Sequence, residues 1–467
     1  MQRILLLVLF GLFTLSAFTQ QINTRLKNAF ANFENDPQLR NGIASIYIID
    51  SRTGNIVFEK NAAVGMAPAS TQKVITAASA YELLGKDFRY KTEFGYTGKI
   101  ENGSLKGLLM IKPTGDPTLG SWRWDYTQVT KVMQRLMKTV QSAGIQQYAG
   151  IVIDHTKWET ESIPDGWIWQ DIGNYYGAGA SGLNWRENQY DVSLRSGKTI
   201  GSEVEIVITK PFLYHYKLSS ELKAAAKGTG DNAYIYFPLE SNYGVIRGTI
   251  PVEENNFTIS GAMPSPRKQF AANLEDSLHF LKIKNIANGQ DVVTVARITY
   301  DTKFTLLHTE VSPPLDSIVY WFNRRSINLY GEALIKSFAL QKKNIGMTDE
   351  GVRLVKEFWK DKGISSTELN MVDGSGLSPL NRVTTRAQVM ILKHARMQGW
   401  YQGFYHSLPE FNGMRMKSGT IRDVKGYCGY HKAKDGNEYI FSFLVNNYNG
   451  SASSLVQKMY KVLDELK

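Results

Sequence analysis

A serine and a lysine three positions apart, in Ser70-Thr71-Gln72-Lys73, place a hydroxyl and an amine on one face of a helix. An amine so placed can take the hydroxyl proton when burial or a neighbouring charge lowers its pKa, and the serine then becomes a nucleophile. Residues 74–84 (VITAASAYELL) read as a helix closed by Gly85. Ser70 therefore falls at a helix N-terminus, where free N–H groups and the dipole favour a developing oxyanion. The pattern alone is weak because it recurs. Ser220-Glu221-Leu222-Lys223 lies in a lysine-rich, helix-like stretch and Ser265-Pro266-Arg267-Lys268 in a proline-rich turn. Both copies are read as solvated surface.

Two downstream elements change the weight of the first. Ser326-Ile327-Asn328 sits at a break between two helical segments and offers a hydroxyl and an amide to a cleft. Taken alone, Ser326 serves equally well as a helix cap. Lys417-Ser418-Gly419-Thr420 reads as the end of a strand, with a cation, two hydroxyls suited to a carboxylate, and a glycine that admits close approach of a substrate backbone. Taken alone, it is a common turn.

The ordered set S-x-x-K, S-x-N, K-S-G resembles the penicillin-recognising serine acyltransferases, that is, the penicillin-binding proteins and serine β-lactamases. The separation of 256 in residue number between Ser70 and Ser326 is more than a small β-lactamase holds there. The layout is similar to the class C low-molecular-mass penicillin-binding proteins, the D-alanyl-D-alanine carboxypeptidase/endopeptidases of the peptidase S13 type. Gly115-Asp116-Pro117-Thr118-Leu119, residues 311–336, and Asp373-Gly374-Ser375-Gly376-Leu377-Ser378 with Asn381-Arg382-Val383-Thr384 add local matches. Departures are Ile327 where many relatives carry Asp, Ser418 where Thr is commoner, and Pro379 where several carry a basic residue.

The resemblance implies an α/β (α+β) transpeptidase fold of the penicillin-binding-protein/serine β-lactamase kind, an antiparallel sheet covered by helices. It implies Ser70 as nucleophile, Lys73 as general base, Ser326 as proton relay, Asn328 as an orienting amide and Lys417 as the tuning cation. Ser418, Gly419 and Thr420 would bind substrate, and the backbone N–H groups of Ser70 and Thr420 would form the oxyanion hole. The implied reaction cleaves D-Ala-D-Ala termini or D-Ala-containing cross-links of peptidoglycan stem peptides through an acyl-enzyme, with β-lactams as covalent inhibitors and no metal or organic cofactor. The alternatives are a serine β-lactamase or esterase of the same fold and a non-catalytic peptidoglycan-binding scaffold.

The elements that must carry these groups come from both ends of the chain. Residues 43–50 and 55–60 form a hairpin signature around Ser51-Arg52-Thr53-Gly54, and residues 425–434 and 439–446 flank Asp435-Gly436-Asn437 before a last helix over 452–466. Between them, residues 88–300 read as a β-rich insert of two subdomains, with short runs such as 204–208, 234–237 and 292–298 separated by Gly, Asn and Lys turns. Helix signals return over 315–325, 329–340, 351–362 and 385–397. The expected layout is a catalytic domain split into 21–87 and 301–467 around the insert.

Composition narrows the setting. A chain of 467 residues exceeds one compact core, and 43% apolar with 21% charged residues excludes wholesale disorder. A net charge of +11 suits nucleic acid, anionic lipid or a carboxylate-rich polymer. Arg3, the apolar run 4–15 and the following Ser16-Ala17-Phe18-Thr19-Gln20 read as a signal peptide of about 20 residues. Export makes nucleic acid a poor partner and, with the resemblance, implies the periplasm. No other run reaches about 18 apolar residues, so no transmembrane segment is expected in the mature protein. A single cysteine, Cys428, excludes a disulfide framework, and seven scattered histidines make a structural zinc site improbable. Cys428 reads as a small apolar filler unconnected with the chemistry.

Two further patterns carry less. Residues 177–182 (GAGASG) fit G-x-G-x-x-G, but no convincing strand precedes them and no amphipathic helix follows, so dinucleotide binding is rejected. Trp167, Trp169, Tyr175, Tyr176 and Trp185 could stack on sugars, and core or inter-domain packing is the stronger reading.

Overall fold

The computed structural model describes residues 21–214, 216–238, 241–286, 293–294 and 303–467. The signal-peptide segment 1–20 lies outside the described residues, as does all but Val293–Thr294 of the run 292–298. The chain divides into two compact units. One takes the described residues to Leu83, then Val319–Ser326 and Val352–Lys467; the other takes Leu84–Ile318 and Ile327–Gly351.

The first unit is built on a six-stranded antiparallel sheet in the order Ile56–Lys60, Ile43–Asp50, Glu438–Asn446, Val424–Lys432, Met414–Ile421, Glu410–Phe411. Ile43 pairs with Asn446 and Asp50 with Tyr439, so the two ends of the chain form the centre of the sheet. Six consecutive residues of Ile43–Asp50 are buried, which explains the unbroken apolar run where a half-exposed strand would alternate. On one face, residues 21–34 and the Ala452–Leu463 helix bury Leu26, Phe30, Phe33, Leu455 and Met459 against Ile46, Ile48, Phe441 and Phe443. On the other lie the Lys73–Leu84 and Thr385–Arg396 helices. Thr384 caps the second by accepting from the Ala387 amide. Ser45 and Thr385 share a hydrogen bond of 2.7 Å, and Ser442 donates to the Gln388 amide oxygen at 2.6 Å.

The second unit contains two separate apolar cores. One packs the Val129–Ser142 and Pro266–Phe280 helices on the sheets holding Lys91–Thr97, Leu109–Lys112 and Ile151–Ile153. The other lies between a three-stranded sheet (Val204–Lys210, Gln189–Ser196, Phe257–Ala262) and a four-stranded one centred on Tyr243–Pro251. The insert strands run past residue 300: Phe304–Val311 pairs antiparallel with Lys91–Thr97. The Asn328–Lys343 helix also belongs to this unit and is buried continuously from Asn328 to Ala339.

Three sequence readings differ from the structure here. Residues 220–223 are not helical; Lys217–Ser220 and Lys223–Ala225 are strands parallel to Tyr243–Pro251, because burial of Leu222 and Ala224 outweighs the helix propensity of Leu, Ala and Lys. Ser265 is the N-cap of Pro266–Phe280, with Pro at the first helical position, so that copy of S-x-x-K is a helix start rather than a plain turn. The aromatic cluster is divided. Trp185 is buried against Phe270, while Trp169 and Tyr175 are exposed. Residues 177–182 follow a short 3-10 turn, not a strand.

Candidate active site

Ser70 sits in a 3-10 turn, Ala69–Gln72, that leads into the Lys73–Leu84 helix. In such a turn residues three apart eclipse, which aligns Ser70 and Lys73 more closely than an α-helical turn does. The Lys73 ammonium nitrogen donates to Ser70 Oγ at 2.9 Å and to the Ser375 carbonyl at 2.8 Å. Lys73 is completely buried, 5.8 Å from the centre of the Phe322 ring, while Ser70 is half-buried. Ala69, just before the serine, holds a left-handed φ of +46°, uncommon for a residue with a Cβ.

The loop Asp373–Asn381 fixes this turn from the side. Asp373 is fully buried, and its carboxylate accepts from the Gly376 and Ser378 amides at 2.8 and 2.7 Å, and from Asn381 Nδ2 and Gln72 Nε2 at 2.9 Å each. Gln72 also donates to the Asp373 carbonyl, and Thr76 donates to that of Gly374. Four donors on one carboxylate hold the loop so that the Ser375 carbonyl faces Lys73. Gly376, at φ +82°, lies so close that a Cβ there would stand 2.0 Å from the Ala69 carbonyl oxygen. The D-G-S-G-L-S match was visible in the sequence; its function as the lysine's support was not.

Lys417 lies on Met414–Ile421, fully buried, and donates to Ser326 Oγ at 3.0 Å and to the Ser418 carbonyl at 2.8 Å. Burial lowers its pKa to about 7, assisted by the Lys425 charge. Cys428, its cross-strand partner, is a thiol whose pKa burial raises to about 12, so the sulfur stays neutral and gives Lys417 no counter-charge. Cys428 is a filler, as read, but it also touches the site: its Sγ lies 3.8 Å from the Thr71 carbonyl oxygen.

Ser326 is a left-handed residue (φ +55°) just beyond the Leu315–Arg324 helix, whose end is held by Asn323 donating to Ser407 at 2.8 Å. Such a conformation costs a non-glycine residue about 1–3 kcal/mol, so packing around it must impose it. Ser326 does not cap the next helix: Ile327 occupies the N-cap position and makes no side-chain cap bond. Asn328 belongs to the other unit, where its Nδ2 donates to the Tyr176 carbonyl at 2.7 Å.

Strand alternation sorts the K-S-G-T residues. Gly419 faces the turn that carries Ser70: a Cβ there would meet the Pro68 carbonyl oxygen at 2.6 Å, Thr71 N at 2.8 Å and Ser70 N at 3.0 Å. The close approach is thus made by the chain's own turn, where the sequence suggested a substrate backbone. Ser418 and Thr420 are paired with Tyr427 and Lys425 on the opposite face. The edge strand Glu410–Phe411 pairs only as far as Arg415, so among the described residues no strand covers Lys417–Ile421 on that side.

The match to known proteins is extensive. The model of the D-Ala-D-Ala carboxypeptidase 3 (S13) family fits residues 26–410. The chain belongs to that family. S13 enzymes are serine DD-peptidases, and this chain is one of them. It is 25% identical over 466 residues to the D-alanyl-D-alanine carboxypeptidase of Actinomadura sp., covering 93% of this chain and 83% of the relative. It is 23% identical to D-alanyl-D-alanine carboxypeptidase DacB of Haemophilus influenzae, covering 84% of this chain and 83% of the relative. The crystal structure of Haemophilus influenzae penicillin binding protein 4 superposes with a TM-score of 0.79 at 21% identity, over 91% of this chain and 97% of that one. The α/β penicillin-binding-protein fold is the one expected. Among the described residues, no helix is long and apolar enough to cross a membrane, and no cluster of three or more His, Cys, Asp or Glu is placed to hold a metal.

Proposed function

We propose that Ser70 is the acylated nucleophile and Lys73 its general base. The observation that carries this reading is the 2.9 Å contact between a buried amine and a half-buried hydroxyl at a helix start. To act as base, Lys73 must be the neutral amine: its nitrogen lone pair takes the Ser70 hydroxyl proton, and the electrons of the broken O–H bond form the new bond from Oγ to the carbonyl carbon of the penultimate D-Ala. The backbone N–H groups of Ser70 and Thr420 receive the oxyanion. Ser326, hydrogen-bonded to Lys417, relays a proton to the leaving amine; Asn328 orients substrate; Ser418 and Thr420 bind the terminal carboxylate. Water then releases the acyl group.

The substrates are peptidoglycan stem peptides, and β-lactams trap Ser70 as a stable ester. Support comes from a relative solved in complex with a β-lactam, penicillin binding protein 4 of Haemophilus influenzae, at 20% identity and a TM-score of 0.75 over 94% of this chain and 99% of that one. The charge pattern of residues 1–20 supports export to the periplasm, where that polymer lies.

Labelled penicillin tests the assignment. The wild-type protein should carry one covalent label at Ser70, and Ser70→Ala none. A wild-type protein that stays unlabelled and frees no D-Ala from a pentapeptide would overturn it.

A further inference from the structure

The turn that carries Ser70 begins on a strained residue. Ala69 holds a left-handed φ of +46°, a conformation that a residue with a Cβ keeps only where its neighbours impose it. One side-chain hydrogen bond closes the turn across Ala69 and Ser70: Thr71 Oγ1 donates to the Pro68 carbonyl at 2.7 Å, beside a longer bond of 3.2 Å from the Thr71 amide. Pro68 is buried and Thr71 completely so. A hydroxyl has one proton and rotates freely, so the closure depends on what directs that proton.

The direction comes from another element. Gln388, on the Thr385–Arg396 helix and fully buried, donates through Nε2 to Thr71 Oγ1 at 2.9 Å. Ser442, on Glu438–Asn446 and also fully buried, donates to the amide oxygen of Gln388 at 2.6 Å and so holds that amide in its orientation. Turned over, the amide would present its oxygen to Thr71 and compete with Pro68 for the proton. The chain from Ser442 through Gln388 and Thr71 to Pro68 thus runs in one sense, each bond between 2.6 and 2.9 Å. The rest of Thr71 is packed as closely. Its carbonyl oxygen lies 3.8 Å from Cys428 Sγ, and a Cβ at Gly426 would stand 3.2 Å from its methyl carbon.

We propose that Gln388 is a positioning residue: by fixing the Thr71 hydroxyl on the Pro68 carbonyl, it holds Ser70 Oγ in its line of attack. This rests on the assignment of Ser70 as nucleophile given above. The position needs an acceptor toward Ser442 and a donor toward Thr71 on one planar group, which an apolar side chain of the same length does not supply. Gln388 acts through the turn, so its contribution falls on the acylation step and not on capture of the ligand.

The test follows the rate of acylation against the concentration of labelled penicillin in wild type, Gln388→Met, Thr71→Val, Thr71→Ser and the Gln388→Met/Thr71→Val double variant. The final amount of label reports the folded fraction, whereas the limiting rate constant reports the site, so a loss of stability alone does not move it. Gln388→Met and Thr71→Val should each lower the limiting rate about ten- to hundredfold at an unchanged half-saturating concentration. Thr71→Ser, which keeps the hydroxyl, should retain most of the rate, and the double variant should be no slower than Thr71→Val because both changes break one chain. Should Gln388→Met not fold, Gln388→Asn, which draws the amide back from Thr71, should show the same loss. An unchanged limiting rate in the folded Gln388 variant, a loss carried by the half-saturating concentration, losses that multiply in the double variant, or a Thr71→Ser as slow as Thr71→Val overturns the proposal and leaves the Ser70 assignment standing. A wild type that takes no label overturns both.

Discussion

Lys417 and Cys428 are partners across two antiparallel strands, a buried ammonium beside a thiol that burial keeps neutral. The ammonium is held in place by Ser326 and the Ser418 carbonyl alone among the contacts described above. Its pKa near 7 therefore has two readable consequences.

The first is kinetic. Capture of a carboxylate-bearing substrate needs the protonated form, so kcat/KM for penicillin acylation should fall above an apparent pKa near 7 in the free enzyme. Lys417→Arg, always charged, should abolish that limb even if its rate is lower. A wild-type profile flat from pH 6 to about 9 would count against the assignment.

The second is thermodynamic. Between pH 7 and 10.5 the unfolded chain holds a proton on Lys417 that the folded protein has lost. The unfolded state then binds more protons, so Lys417 makes stability rise with pH across that window, and its destabilising effect is complete below about 7. Denaturant titrations of wild type and Lys417→Met should converge as pH is raised from 7 to 10.

Gly419→Ala should separate position from chemistry. The new methyl meets backbone atoms of the nucleophile turn, which cannot rotate away. A shift of about 1 Å at Ser70 is worth roughly a hundredfold in rate. We expect acylation by labelled penicillin to slow by about that factor with the melting temperature lowered by only a few degrees.

Ser326 gives the opposite separation. Its left-handed φ favours glycine, so Ser326→Gly should be more stable than Ser326→Ala by about 1 kcal/mol, measured by urea unfolding. Both variants lose the hydroxyl bound to Lys417, and both should lose peptide turnover. Equal stability of the two would mean that the backbone strain is absent.

Asp373→Asn keeps shape but replaces one acceptor oxygen by a donor. At least one of the four hydrogen bonds to that carboxylate must fail, at a cost of about 1–3 kcal/mol for the buried group left unmatched. Thermal melting and penicillin labelling should both decline, because the Ser375 carbonyl that holds Lys73 rides on the same loop.

The residues proposed for the chemistry were the most readable part of the sequence, because the types and order of such groups are constrained by a reaction of this kind. Ser70, Lys73, Ser326 and Lys417 could be named from three short patterns. The support for them was not readable in the same way. Gln72 meets Asp373, 301 positions away, and a glutamine after a threonine announces no such partner. Lys425 reads as an ordinary strand lysine until the register sets it beside Thr420. Within the stretch read as β-rich, the Val129–Ser142 helix is marked only by the four-residue spacing of Val132, Leu136 and Val140. Phe304–Val311 pairs with a strand some two hundred residues earlier, a partner that local pattern does not encode.

The pairing of Ile43–Asp50 with Glu438–Asn446 bears on how the molecule is made. Loop closure over nearly the whole chain must come before the central ladder of the sheet can form, so folding of this unit waits for the last residues to be synthesised. The loop behind Lys73, the strand that carries Gly419 and the strand beside it all precede Glu438–Asn446 in the chain. The neighbours of Ser70 are therefore made before the strand that ties their sheet to Ile43–Asp50, and the site is assembled only when that late strand pairs on both of its sides.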